Sequence, residues 1–108
     1  MHTDLQEKWF ELSLVEQMAN IGSEVERAVK WKDKQNDAYA NMANIRALEL
    51  FDLTVADPRH SQGLKEILRA RELWLDYFVG SNQYSQTAKQ WQKYFLAFGY
   101  AARNPSHK

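Results

Sequence analysis

Residues 64–78 read LKEILRARELWLDYF. Placed at 100° per residue, Leu64, Ile67, Leu68, Leu75 and Phe78 fall on one stripe, the mark of a helix that buries one side. Arg71 sits in the middle of that stripe, where an apolar side chain is expected. A guanidinium turned toward a core needs an anion, because an unpaired buried charge costs roughly 3–5 kcal/mol. The stripe therefore predicts both a packed helix and a charge that must be answered.

The same period runs outward in both directions. Ser13, with Glu16 three residues on, forms a capping-box pattern. It opens a stripe of Leu14, Met18, Ile21, Val25, Ala28 and Val29. Lys30, Lys32 and Lys34 follow, at the end where the helix dipole favours cations. Leu5, Trp9 and Leu12 place a short helical extension over residues 1–12, either separate or continuous with that helix. Asn36 and Asp37 open the next helix, with a main stripe of Tyr39, Met42, Ala43, Arg46, Leu50 and Leu53 and a second apolar face of Ile45, Leu48, Phe51 and Val55. Pro58 in ADPRHSQG (56–63) ends it. Ser61 is expected to cap the 64–78 helix and Gly80 to stop it in a left-handed turn. Thr87 and Gln90 offer a second capping box, and Trp91, Tyr94, Phe95, Phe98 and Ala102 form the inner face of a last helix. Residues 103–108 read as a frayed tail. The expected fold is all-α: one domain over residues 1–108, an antiparallel up-down four-helix bundle with a short N-terminal helical extension.

Composition narrows the chemistry. With no Cys among 108 residues, disulfides, thiolate metal sites and a cysteine nucleophile are excluded. No run of about 18 apolar residues occurs, and the first residues lack the apolar stretch of a signal peptide, so a cytoplasmic protein without a membrane span is expected. No Glu-x-x-His, glycine-rich phosphate loop or Gly-x-Ser-x-Gly elbow is present. His2, His60 and His107 fall in a terminus, a loop and a tail and read as exposed, so no metal and no cofactor are expected. The pairs Glu49/Asp52 and Glu72/Asp76 read as solvated helix faces rather than acid/base couples. Gly22, inside the first long helix, reads as a point of close helix packing. The chain reads more readily as a non-catalytic protein than as an enzyme.

Three kinds of site remain. Arg46 lies near the centre of its stripe as Arg71 does, with Glu24, Glu49 and Glu72 at the stripe edges. These five residues are expected to form a buried interhelical ion network, or Arg46 and Arg71 line a cleft that holds a phosphate or carboxylate. Trp31, Phe51, Leu73, Trp74 and Tyr77, on faces left over by the bundle, are candidates for contact with a second copy or another protein. Charge supplies the third. Residues 1–54 carry ten acidic and six basic side chains, whereas residues 77–108 carry no acid. Lys89, Lys93, Tyr100 and Arg103 on the last helix are candidates for nucleic-acid contact, with Lys30, Lys32 and Lys34 as auxiliaries.

The stretches MANIGSEVERAVKWK, LRARELWLDYF and WQKYFLAFGYAARNP resemble a set of short bacterial all-helical proteins, over most of residues 13–105. That resemblance implies no activity and transfers no functional residue. At the level of fold the chain is also similar to HEPN helical domains. Ribonuclease members of that group carry Arg, four to six residues, then His within a helix. RNPSH, at 103–107, has the wrong spacing and lies in the tail, which argues against RNA cleavage.

Overall fold

The computed structural model describes residues 3–103. Its elements are α1 (Thr3–Phe10), α2 (Leu14–Asp33), α3 (Asp37–Ala56), a 3-10 segment (Pro58–Gly63), α4 (Leu64–Phe78) and α5 (Ala88–Arg103). The described residues contain no strand. No helix among them is long and apolar enough to cross a membrane.

Local chemistry sets the boundaries. Glu16 N–H donates to Ser13 Oγ at 3.1 Å and Ser13 N–H to Glu16 Oε1 at 2.9 Å, so the capping box at the start of α2 is formed. Thr87 and Gln90 make the same reciprocal pair before α5. Asn36 caps α3 through Tyr39 N–H. Gln35 (φ 61°) turns the chain between α2 and α3, with Asn36 N–H reaching back to Trp31 O at 2.9 Å. This is the left-handed helix stop usually taken by glycine. Gly80, expected in that role after α4, has no positive φ. Asn82 N–H instead reaches Asp76 O at 2.9 Å. Ser61 lies within the 3-10 segment, and α4 begins after Gly63 without a side-chain cap.

α2 is the central helix. α3 packs along one side of it, α5 along another, and α4 lies on α3. The core is built from Met18, Ile21, Val25 and Ala28 of α2, Ile67, Trp74 and Phe78 of α4, and Trp91 and Phe95 of α5. Its α3 face is Ala40, Ala43, Ala47 and Phe51, with Asn44 and Thr54 as polar members. Large apolar side chains therefore do not choose the inner face of α3. Tyr39, Met42 and Ile45, each more than half exposed, point outward. Small inner residues let α2 and α3 approach closely, and the larger apolar groups take the outside.

Gly22 lies where α5 crosses α2. A Cβ added there would stand 2.6 Å from Phe95 Cβ and 2.8 Å from Cγ. Close helix packing, expected for this glycine, is its role. Trp74 occupies the centre of the molecule. It stacks on Phe78 at 5.0 Å and meets Trp91 edge-on at 5.6 Å. Its indole N–H donates to Asn44 Oδ1 at 2.7 Å, joining α4 to α3.

Candidate functional site

A groove of about 710 Å³ runs along the seam of α2 and α5. On α2 it is lined once per turn by Ala19, Ser23, Glu26, Lys30 and Asp33; on α5 by Lys89, Lys93, Leu96, Gly99 and Arg103. This spacing is the outward row of each helix beside the row that packs at Gly22 and Phe95. Val25, Val29, Trp91 and Phe95 form an apolar floor. Leu96, 64% exposed, projects at the edge. Lys30, Lys89, Lys93 and Arg103 are all exposed. None of the four pairs with a carboxylate among the described residues. Glu26 and Asp33 give the α2 side of the rim a mixed charge.

Three residues proposed for nucleic-acid contact, Lys89, Lys93 and Arg103, thus share one groove with Lys30. Tyr100 is exposed on α5. Lys32 and Lys34 turn elsewhere. Lys32 Nζ lies 4.9 Å from the Phe78 ring centre and Lys34 Nζ 5.3 Å from that of Trp31, both in cation–π geometry.

The arginines behave differently from the expectation. Arg71 Nε donates to Asp52 Oδ1 of α3 at 2.9 Å, with side chains 30% and 63% exposed. Its partner is not Glu24, Glu49 or Glu72. Arg46 is exposed and makes no salt bridge among the described residues. Glu24 bonds Arg27 on its own helix at 3.0 Å, while Glu49 and Glu72 are exposed. No buried five-residue network forms, and Arg46 and Arg71 line neither this groove nor the one between α4 and α5. The physical reason is helix phase. The buried row of α4 is Ile67, Ala70, Trp74 and Phe78, whose centre is turned away from that of the expected stripe and leaves Arg71 at its edge. An edge pair in contact with water contributes little. Arg71→Gln is therefore expected to change stability by less than about 1 kcal/mol in a urea titration.

Of the expected partner-contact residues, Phe51 and Trp74 are fully buried in the chain's own core. They cannot present a surface. Trp31, Leu73 and Tyr77 are half-buried. Trp31 meets Tyr39 edge-on at 4.9 Å.

A polar cluster that the sequence did not reveal joins α1, α2, α3 and the 3-10 segment. Asp57, 3% exposed, closes α3. Its carboxylate accepts from Arg59 Nε and backbone N–H, both at 3.0 Å, and from Gln17 Nε2 at 3.1 Å. Gln17, fully buried, also donates to Trp9 O at 2.8 Å. His60 Nε2 lies 2.9 Å from Gln17 Oε1 and 3.2 Å from Asp57 Oδ2. Both neighbours are acceptors, so this nitrogen carries the proton. His60 is thus buried, not the exposed loop histidine expected. Trp9 N–H adds a bond to Thr54 Oγ1 at 2.9 Å, fixing α1 to α3. The groups satisfy one another, and none of them lines either the α2–α5 groove or the groove between α4 and α5.

The Arg59 guanidinium beside Asp57 holds its carboxyl well below the ordinary value of 3.8, aided by the Arg59 N–H, Gln17 and His60 against the opposing effect of burial. A lowered folded-state value stabilises the fold above about pH 4, and the contribution is lost as the pH falls further. Asp57→Asn is expected to cost about 2 kcal/mol at neutral pH, the scale of a bond to a charged group. Below about pH 4 the gap between variant and native chain should narrow. Urea midpoints measured across that range check both parts.

Among the described residues no group of three His, Cys, Asp or Glu could hold a metal ion. Comparison with protein-family models, with curated proteins and with solved structures finds no match for the chain.

Proposed function

We propose that the chain is a non-catalytic binding protein, an up-down four-helix bundle whose α2–α5 groove docks an acidic amphipathic helix of a partner protein. One observation carries this reading: four cations from two helices, unpaired among the described residues, rim a single apolar-floored groove. A helix laid in such a groove would bury its apolar side on Val25, Val29 and Phe95 and set its carboxylates against the rim. Glu26 and Asp33 favour this occupant over a nucleic acid. They would face phosphates with like charge, but can pair with an occasional Lys or Arg on a peptide.

The second reading, an accessory module for nucleic acid, draws on the acid-free α5 and on exposed Tyr100, which can stack a base. Anisotropy with a labelled acidic amphipathic peptide and with single-stranded RNA, each over a salt series, separates the two. The peptide is expected to bind, and the triple change Lys89→Glu, Lys93→Glu, Arg103→Glu to weaken it by roughly tenfold or more. RNA binding tighter than the peptide, with a steep salt slope, would replace the first reading by the second. Failure of both ligands at low salt would end both readings. Light scattering should give a monomer; a dimer broken by the same triple change would mean that the groove receives a second copy.

A further inference from the structure

A second groove, of about 480 Å³, opens between α4 and α5. This volume falls within the range of small-molecule sites. Lys65 and Arg69, one turn apart on α4, stand at its wall, with Ala70, Leu73 and Tyr94 as its apolar part. Neither cation is paired with a carboxylate among the described residues. The one carboxylate present, Glu66, already accepts from the Tyr94 hydroxyl at 3.2 Å. Burial, then the Glu66 charge, pushes the Tyr94 hydroxyl up from its ordinary value, so it stays a neutral donor committed to that bond.

Two side-chain amides, Gln86 and Gln90, supply the remaining polar groups. Gln90 Oε1 accepts the Thr87 N–H at 2.8 Å in the α5 capping box, which leaves its amide nitrogen to donate. Trp91, which walls this groove as well as the α2–α5 groove, has a buried indole nitrogen with no hydrogen-bond partner. An orphaned buried donor costs roughly 1–3 kcal/mol, which an acceptor brought through the groove would recover. Two unpaired cations above an aromatic and aliphatic wall describe a complementary molecule: flat, apolar on its faces and anionic at one end.

We infer that the groove between α4 and α5 is a binding site for a small aromatic carboxylate, held by Lys65 and Arg69 and seated against Trp91 and Tyr94. The site shares Trp91 with the α2–α5 groove but does not rest on helix docking there.

Naphthoate and its neutral counterpart naphthamide test it. In the nitrogen-15 spectrum of the whole chain, the Trp91 indole signal is identified by its loss in Trp91→Phe. Naphthoate is expected to move that signal and to bind roughly tenfold more tightly than naphthamide. The double change Lys65→Gln, Arg69→Gln alters only exposed side chains and should leave the fold intact, confirmed by an unchanged melting temperature. It should bring the two ligands level. Equal affinity of the two ligands for the native chain would overturn the proposal. So would an unmoved Trp91 signal at millimolar naphthoate, or a preference that survives the double change.

Discussion

Trp74→Ala is expected to lower stability by about 4 kcal/mol, the scale of a large aromatic removed from a packed core. The indole is fully buried and meets the rings of Phe78 and Trp91. Its loss also strands Asn44, whose Oδ1 would be left in the core without a donor. Stability of a domain this size is commonly about 5–15 kcal/mol, so the variant should lie near the edge of folding. The two contributions are separable. Trp74→Phe keeps most of the ring packing and loses the bond, and should cost about 2 kcal/mol. Adding Asn44→Ala to Trp74→Phe removes the orphaned acceptor and should recover part of that loss. Urea midpoints of these variants and of Asn44→Ala alone check this; if the double variant were as unstable as the sum of its two single changes, the Asn44 bond would carry no weight.

Gly22→Ala should lower stability by about 2 kcal/mol, against the sign that helix propensity alone predicts. In an exposed helix interior this change is favourable by about 1 kcal/mol. Here the new methyl meets Phe95 at its Cβ and Cγ, 2.6 and 2.8 Å away, not at the far end of a flexible side chain. Relief requires α5 to move off α2, and forcing atoms into a filled core typically costs about 1–3 kcal/mol. Phe95→Ala is also destabilising on its own. In the double variant the contacts with the ring at Cγ and Cδ1 are gone, while the 2.6 Å approach to the Cβ that alanine retains is left, so the combined loss should fall short of the sum by about 1 kcal/mol. Strict additivity would mean that the two positions do not touch.

These two positions mark what was and was not legible in the sequence. α2 and α5 are apolar on one side, and their core faces followed from spacing: Met18, Ile21 and Val25 on one, Trp91 and Phe95 on the other. Gly22 was legible as a packing point because a glycine inside a capped helix needs such a reason. α3 is apolar nearly all round, so hydrophobicity gave its wheel no direction. Ala40, Ala43 and Ala47 are buried, and Tyr39, Met42 and Ile45 are not. A wheel centred on the large side chains of α3 places Arg46 inside, and one centred on Leu68 rather than Ala70 does the same for Arg71. In both helices alanines, and not only large side chains, make up the buried face.

The site was legible in part. Lys89, Lys93 and Arg103 stood out because no acid lies between residues 77 and 108. That Lys30 and an apolar floor from α2 join them depends on which helices are neighbours, which periodicity leaves open. The Asp57 cluster escaped because its members are far apart in sequence: Gln17 and His60 are separated by 43 positions. A local signal existed. An aspartate before Pro58, at the end of a helix, can accept the N–H two residues on, as it does from Arg59. What Asp57 does with Gln17 and His60 required the fold.

We propose that the α2–α5 groove is where this protein meets its partner. Backbone amide shifts recorded while an acidic amphipathic peptide is added test it most directly. The perturbed amides are expected to cluster in the second half of α2 and along α5, around Val29, Lys30, Lys93 and Leu96. Perturbations centred instead on Tyr39, Met42 and Ile45 of α3, or no perturbation at saturating peptide, would contradict it.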